Sequence, residues 1–348
     1  ELLRPAVTDA AVFTPWLLTS GGPDNGRLPT PVDRTQIAYG VDSRVQSLLA
    51  VADATGREGF RQLAAVTAAW YFGANAAGVR AYDPATGRTV DGIAGDGGVN
   101  RNSGAESTIH GLLSMLALDD RPEVAALARQ DRIAHRQGST VLEAEAATLA
   151  GGATVLTPAS SWTGESSISG GRWVMLPDGG TARWQLPPAG LPRLVLPVVD
   201  LRPGSPATTG WQGGGRSLGL VRHGAVGEQG TSPAPGALLP VTLAGELPAG
   251  ADELVARATG GGAVVDAILL EPLVSQLVLA GASGGVAVLR SAAREPRTVP
   301  VAVGGAGSVV VESYDAEGIR RARATSDDPA GVPALVLPGG FTVVRRRP

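Results

Sequence analysis

The sequence contains no cysteine, which excludes disulfide bonds, thiolate nucleophiles and zinc sites built from cysteine. It also contains no lysine, so arginine supplies every long cationic side chain. Aromatic residues account for only 4% of the chain, and valine, leucine and alanine must therefore fill any core. No apolar run reaches the roughly 18–20 residues of a membrane-spanning helix, and we expect no membrane span.

Neither the charge nor the short motifs point to a nucleic acid or an organic cofactor. The formal net charge is −3, and the three histidines are scattered along the chain. There is no His-Glu-x-x-His pair for zinc, no phosphate-binding loop and no Gly-x-Ser-x-Gly nucleophile turn. The chain begins at Glu1 without a signal peptide. We expect a mature or truncated form. The use of arginine in place of lysine, with abundant alanine and glycine, indicates a high-GC bacterial coding bias, and the expected location is outside the cell or at its surface.

Residues 1–137 have the apolar periodicity of helices. Apolar residues recur on one helical face from Ile37 to Ala52, and a second helix is predicted over Arg57 to Phe72. Two more helices are expected at about 104–118 and 121–136, after a long polar loop over 73–102. Loops of this length inside compact domains are often functional.

After Gly138 the pattern changes to short β-rich runs separated by glycine and proline. Many short strands at this spacing predict a β-sandwich over 138–280. Further short runs over 281–348 predict a small C-terminal β domain. The predicted fold is therefore a multidomain α + β chain with a helical-hairpin region, a jelly-roll-like sandwich and a small β domain.

Two segments of the helical region resemble a known family. Trp70-Tyr-Phe-Gly-Ala-Asn75 and Asn100-Arg-Asn-Ser-Gly-Ala-Glu-Ser-Thr108 are similar to a pattern in six-hairpin, (α/α)6-toroid carbohydrate enzymes. The resemblance implies a partial (α/α)6 toroid whose last loop opens onto a sugar cleft. Fewer helices fit here than a complete toroid needs. Either another polypeptide completes it, or the chain is a fragment, or the helices pack differently.

Under this resemblance Glu106 is the candidate catalytic residue, because glycosidases use one carboxyl group as an acid and a second as a base or nucleophile. The alternative is structural, since Ser103-Gly-Ala-Glu106 has the spacing of a helix capping box. His110 lies one turn further along, while Asp42 is expected on a solvated helix face. The remaining substrate-binding candidates of the loop are Asp83, Asp91, Asn100 and Asn102, although turns alone explain aspartates at such positions.

The β-rich part resembles carbohydrate-binding module families 6 and 35. The residues that carry this resemblance are Glu143-Ala-Glu145, Ser169-Gly-Gly-Arg-Trp-Val174 and Val265-Asp-Ala-Ile-Leu-Leu-Glu271. Many members hold a structural calcium between their first and last strands, which implies Glu143, Glu145 and Asp266 as ligands. Hard oxygen donors from two strands suit that ion. The alternative is that the two glutamates face solvent on an edge strand.

Sugar binding in such modules depends on exposed aromatic rings. Trp162 and Trp211 lie in segments rich in glycine, serine and threonine, and we expect both to be exposed and to contact a glycan. Trp173 and Trp184 lie in strand-like alternation and are expected in the core.

The two resemblances imply a carbohydrate-active protein, part of a glycoside hydrolase that acts on a bacterial or plant glycan, with the partner of Glu106 absent from this chain. Two alternatives stay open. One is a non-catalytic glycan-binding or structural module. The other is one subunit of an enzyme completed by another chain, which predicts an exposed apolar patch on residues 1–60.

Overall fold

The computed structural model describes residues 2–22, 34–163, 166–231, 235–282, 284–328 and 331–346. The chain forms two compact units. Unit 1 contains the described residues up to Gly138 together with those from Val274 onward, and unit 2 contains Ser139–Leu273. The helices and the C-terminal strands therefore belong to one unit, whereas the sequence places them in separate domains.

Unit 1 contains the longer helices. Among the described residues, no helix combines the length and the apolar character that crossing a bilayer requires. The helix over Ala38–Thr55 ends at Gly56, with φ 69°, and the helix over Glu58–Phe72 ends at Gly73, with φ 122°. The helices are α1 (Leu3–Thr8), which continues through a π-helical turn (Asp9–Phe13) into α2 (Thr14–Ser20), then α3 (Ala38–Thr55), α4 (Glu58–Phe72), α5 (Ala105–Asp119) and α6 (Pro122–Ala128).

The strands are short and antiparallel throughout the described residues. Those before the sandwich are β1 (Gln36–Ile37), β2 (Gly92–Ile93), β3 (Val99–Asn100) and β4 (Arg132–Gln137). Unit 2 contains β5 (Thr140–Glu143), β6 (Thr148–Ala150), β7 (Thr154–Leu156), β8 (Trp173–Leu176), β9 (Thr181–Gln185), β10 (Arg193–Leu201), β11 (Thr208–Gly213), β12 (Arg216–Arg222), β13 (Ala237–Pro240), β14 (Glu253–Thr259) and β15 (Ala263–Pro272). The C-terminal strands are β16 (Val274–Ala280), β17 (Val286–Ser291), β18 (Arg297–Val301), β19 (Val309–Tyr314), β20 (Arg320–Ser326), β21 (Val332–Val336) and β22 (Phe341–Arg346).

A six-stranded sheet in the order β20-β19-β22-β17-β16-β4 organises unit 1. Because successive residues of a strand point to opposite faces, β17 buries both. Val288 packs with the helices, in one cluster with Leu63 of α4, and Leu289 packs with β18 and β21 in another. The C-terminal strands therefore provide the surface against which the helices bury their apolar stripes.

The prediction of a partial helical toroid is wrong. The α3–α6 helices exist, but the apolar face of α4 lies in one cluster with the strands of this sheet instead of against further helical hairpins. The predicted last helix also ends early, because α6 stops at Ala128 and Arg132–Gln137 is a strand. That strand pairs with β16, with Ile133 opposite Leu279. A partner far along the chain has overridden the local pattern.

Unit 2 is a β-sandwich of two antiparallel sheets. One follows the order β13-β10-β15-β8-β7, with β5 also paired to β15, and the other follows β12-β11-β14-β9-β6. The core between them is aliphatic except for two stacked indoles, Trp184 and Trp211, whose ring centroids lie 5.8 Å apart. The first sheet carries a second apolar cluster on its other face, formed by Ile168, Val198, Leu238, Ala267 and Leu269.

Candidate functional site

Three acidic side chains of unit 2 come together where β5 pairs with β15. Glu143 ends β5 and lies opposite Ala267, the neighbour of Asp266 in β15. Glu145 follows in a single helical turn, Ala144–Ala146. The structure thus brings together the three residues expected to bind a metal, and we call them the carboxylate cluster.

A turn over Ser169–Gly171 closes over the carboxylate cluster. The Ser169 amide donates to both carboxylate oxygens of Asp266, at 3.0 and 3.2 Å, and its hydroxyl donates to Glu143 Oε1 at 2.8 Å. Gly170 has φ +60°, and a Cβ there would lie 2.9 Å from Glu145 Oε1. Glycine is required at this position both by the backbone conformation and by the approach of the carboxylate.

Among the described residues, the carboxylate cluster has one cationic neighbour, Arg172, whose Nε lies 3.3 Å from Glu145 Oε1, and three acidic groups share this single positive charge. Asp266 is 0% exposed, and burial, with smaller contributions from the charges of Glu143 and Glu145, raises its pKa to about 7. Burial also raises the pKa of Glu143, against the Ser169 hydroxyl that lowers it. Carboxylates packed this closely disfavour each other's ionised forms.

The donor set suits calcium, which takes six to eight oxygen ligands from carboxylates and carbonyls. The Oε2 atoms of Glu143 and Glu145 are both buried and have no hydrogen-bond partner, although buried polar atoms are normally satisfied. Among the described residues, no three acidic or histidine side chains already stand in metal-binding geometry. The oxygens would therefore have to move together to bind an ion.

A groove of about 530 Å³ lies on the other side of the same turn. Ile168, which precedes Ser169, lines it together with Leu238, and both belong to the second apolar cluster. Trp173, which packs against that cluster, lines the groove as well. The wall carries Trp162, Asp200, Arg202 and Gln229. We call this the Trp162 groove.

Trp162 has a large exposed surface, 56% of the residue, as the sequence predicts. Its backbone is nevertheless held in place. Trp162 forms an antiparallel bridge with Ser167, and the Ile168 amide donates to Ser161 O at 2.6 Å. The Ser160 hydroxyl accepts from the Trp162 amide at 3.1 Å. An exposed but positioned indole is a suitable platform for an apolar ligand face.

The polar groups of the groove include one pair of opposite charges, Arg202 and Asp200, and one neutral amide, Gln229. Arg202 Nε donates to Asp200 Oδ2 at 2.8 Å, with the arginine side chain 51% exposed. Gln229 Oε1 accepts the Gly236 amide at 2.9 Å. No motif in the sequence marks Asp200, Arg202 or Gln229. The only sequence signal for the first two is an acidic and a basic residue two positions apart at the end of a strand.

The expectation that Trp211 is exposed is wrong. It is 1% exposed in the sandwich core, where its indole N–H donates to Thr209 Oγ1 at 3.0 Å. The position lies in the alternating pattern of β11, in which Thr209, Trp211 and Gly213 point inward. Trp184 is buried as expected, whereas Trp173 is half-buried and lines the Trp162 groove.

In unit 1, Asp42 is buried, not solvated as expected, with 2% exposure. Its carboxylate accepts from Ser114 Oγ at 2.7 Å and from Gln46 Nε2 at 3.1 Å, and it binds His110 Nδ1 at 2.7 Å. Because an ionised carboxylate only accepts hydrogen bonds, Nδ1 of a neutral His110 ring donates and Nε2 is the acceptor. The His110 side chain is 33% exposed.

The predicted capping box at the start of α5 does not form. Gly104 is the N-cap, and no side chain of the cap residue bonds to the helix. The Gly104 amide instead donates to Asp91 Oδ1 at 2.9 Å, which with the Ser107 hydroxyl lowers the pKa of Asp91. The Asp91 amide is shared between Asn100 O and Asn102 O, so these three lie together near Glu106, which is exposed in the first turn.

Asp83 lies in a separate turn of its own. Its carboxylate accepts from the Ala85 amide at 3.0 Å and from Thr86 Oγ1 at 2.6 Å, and both bonds lower its pKa. This is the Asx-turn arrangement, and it accounts for the aspartate without a ligand.

The hypothesis of a completing subunit predicts an apolar patch on residues 1–60. Among the described residues of that range, the exposed large hydrophobic side chains are Leu2, Leu3 and Tyr39. The longest exposed apolar series lies instead on α5 and contains Ile109, Leu112, Leu113 and Leu116.

No protein-family model matches the sequence, and a search of curated proteins gave no match. Several solved structures align with part of the chain, and they are glycoside hydrolases and carbohydrate-binding modules. An exo-β-1,3-galactanase from Phanerochaete chrysosporium is 20% identical with a TM-score of 0.28, and covers 39% of this chain and 30% of its own. A GH87 α-1,3-glucanase catalytic unit from Streptomyces thermodiastaticus is 21% identical with a TM-score of 0.29, covering 39% and 26%.

A family 6 carbohydrate-binding module of a laminarinase from Zobellia galactanivorans aligns with 38% of this chain and 98% of its own, at 15% identity and a TM-score of 0.27. The match thus spans less than a third of the two enzymes but nearly all of the module. These scores are too low to carry an argument about fold or function.

Proposed function

We propose that unit 2 is a carbohydrate-binding module and that the Trp162 groove is its saccharide site. The observation that carries this proposal is the exposed indole of Trp162, held by its backbone beside the Asp200–Arg202 pair. The proposal rests on this groove and not on the low-scoring structural neighbours.

The chemistry of the groove suits a neutral, hydroxyl-rich ligand. The face of an indole presents apolar surface of the kind that stacks on the C–H face of a sugar ring, as aromatic side chains do at many ligand sites. Arg202 supplies donors, Asp200 supplies acceptors, and the Gln229 amide supplies both. Because the arginine and the aspartate charges oppose each other, the groove does not favour a strongly charged ligand.

We also propose that the carboxylate cluster holds a calcium ion. Glu143, Glu145 and Asp266 would be its ligands, because their buried oxygens include two that lack any partner. When bound, the ion would supply the positive charge that three neighbouring carboxylates need. Ser169 would keep its two donated hydrogen bonds and hold the turn against the ligands.

The experiment is a glycan array probed with the intact chain in calcium, followed by titration calorimetry with the saccharide that binds. The Trp162→Ala variant should lose at least about tenfold in affinity, equivalent to about 1.4 kcal/mol. The matched control is Leu220→Ala, which removes another exposed apolar side chain of unit 2 and should bind as wild type does. Equal affinity of Trp162→Ala and wild type, or no binding by any glycan, would reject the proposal.

A second candidate function is hydrolysis of a glycosidic bond by unit 1, and one observation favours it. The buried Asp42 orients the half-exposed His110 so that Nε2 can accept a proton, one helical turn from Glu106. Asp91, whose pKa is lowered, would be ionised and could not act as the acid. If this function is correct, the array hit should be cleaved, and Glu106→Gln and His110→Gln should each abolish cleavage while binding persists. Absence of cleavage by the wild-type chain would remove this candidate.

A further inference from the structure

One short segment of unit 2 borders both the Trp162 groove and the carboxylate cluster. Ile168 is buried against the groove, and Ser169, the next residue, is 0% exposed and bonded to two of the three carboxylates. Two adjacent residues therefore separate the candidate sugar site from the candidate cation site.

The connection reaches Trp162 through backbone hydrogen bonds. The Ile168 amide donates to Ser161 O at 2.6 Å, and Ser167 forms an antiparallel bridge with Trp162. We call the two paired segments, Ser161–Thr163 and Ser166–Ser169, the hairpin. Their bonds hold them in register, so a displacement of Ser169 is transmitted to the residue that carries the indole. No long chain of side-chain contacts is needed, since the path consists of a few backbone bonds.

Ser169 is attached to the carboxylate cluster by three hydrogen bonds, two from its amide to Asp266 and one from its hydroxyl to Glu143. Hydrogen bonds to carboxylates are stronger than those between neutral groups. Repulsion among carboxylates drives them apart, whereas a cation draws their oxygens to one centre. Ser169 must follow the carboxylates to which it is bonded.

We propose that Ser169 is the positioning residue that couples cation binding in the carboxylate cluster to the placement of Trp162. Occupation of the cluster by a divalent cation fixes the two paired segments of the hairpin and with them the indole of the groove. This inference rests on the proposed function for its biological meaning, but its structural content, a cation-dependent hairpin, does not require a sugar.

The test is hydrogen–deuterium exchange of the intact chain in excess chelator and in calcium chloride, followed on peptides spanning 157–172. In wild type, calcium should slow exchange of these amides by at least about fivefold, the lower end of typical coupling between sites. Ser169→Ala keeps the amide but loses the hydroxyl bond to Glu143, and should reduce that protection. Ser169→Thr retains a hydroxyl and should restore it, and Ser205→Ala, in another turn of unit 2, should behave as wild type.

Calcium binding is measured separately by calorimetry on the same variants. If wild type and Ser169→Ala bind calcium and show equal protection of the hairpin, the coupling through Ser169 is refuted. It is also refuted if calcium leaves the wild-type hairpin unchanged. If the hairpin responds but no saccharide binds, the proposed function fails and the coupling stands, so the two failures are distinguishable.

Discussion

Replacing Asp266 by asparagine should change the stability of unit 2 in opposite directions with and without calcium. The substitution keeps the shape and an oxygen that can accept the Ser169 amide, but it removes one negative charge from the carboxylate cluster. In chelator this relieves an unfavourable buried charge, while in calcium it replaces a charged ligand by a neutral and weaker one.

The magnitude follows from the pKa of Asp266. Burial raises that pKa from 3.8 to about 7, so the folded state binds a proton more tightly than the unfolded state. Between these values the unfolded state holds fewer protons, and stability must fall as the pH rises. At about 1.4 kcal/mol for each pH unit the largest loss is about 4 kcal/mol, complete above the folded pKa. Asp266→Asn should lack this slope.

The assay is urea unfolding followed by tryptophan fluorescence, since Trp162, Trp173, Trp184 and Trp211 are in unit 2 and only two further tryptophans are in unit 1. In chelator, wild type should lose more stability from pH 4 to pH 8 than Asp266→Asn, in which only the raised pKa of Glu143 still contributes a loss. In calcium at 100 times its dissociation constant, wild type should gain about 2.7 kcal/mol and the variant less. Parallel pH profiles of the two proteins in chelator would refute the reasoning.

Three further predictions concern buried positions inside unit 2 and inside unit 1. Trp211→Ala should destabilise unit 2 by about 3–5 kcal/mol, as large truncations in a core do, measured by the same urea titration. Burial lowers the pKa of His223, so below the ordinary value of 6.5 the stability of unit 2 should fall as the pH falls. This slope is opposite in sign to the slope from Asp266, so it is measured in the Asp266→Asn variant. Adding His223→Gln should abolish it. Gly111→Ala places a Cβ 2.0 Å from the hydroxyl oxygen of the buried Thr89. It should lower the free energy of unfolding by about 1–3 kcal/mol, measured by thermal melting followed by circular dichroism. In the control Gly304→Ala, the new Cβ has no atom within 4 Å, and stability should not change. Equal melting temperatures of these two glycine variants would contradict the close approach of α5 to Thr89.

Local patterns predict the elements of this chain better than their partners. The apolar spacing from Arg57 to Phe72 predicts α4, which spans Glu58–Phe72. The same spacing cannot show that the apolar face meets strands more than 200 residues further along, and the toroid resemblance fails for that reason. Arg132–Gln137 is a strand because its backbone pairs with that of β16. Local sequence propensity cannot reveal this distant partner.

The candidate site divides in the same way. The resemblance of two motifs names Glu143, Glu145 and Asp266 together. The structure brings these three residues to one place because β5 pairs with β15 in the register that sets Glu143 opposite Ala267. Trp211 is misjudged because its glycine neighbours suggest a loop, although the alternation of β11 contains the correct answer. Asp42 is buried beside Ser114 and His110, which belong to another helix. The residues that neighbour Asp42 in the sequence therefore do not reveal its burial.

The central claim is that a saccharide occupies the Trp162 groove, and the most direct measurement is nuclear magnetic resonance of the indole N–H signals during a saccharide titration in calcium. The six tryptophans give six such signals, assigned by single replacements with phenylalanine. The signals of Trp162 and Trp173 should shift in proportion to occupancy, while those of the buried pair Trp184 and Trp211 stay in place. Shifts confined to Trp16 or Trp70, both in unit 1, would contradict the account and place the ligand elsewhere.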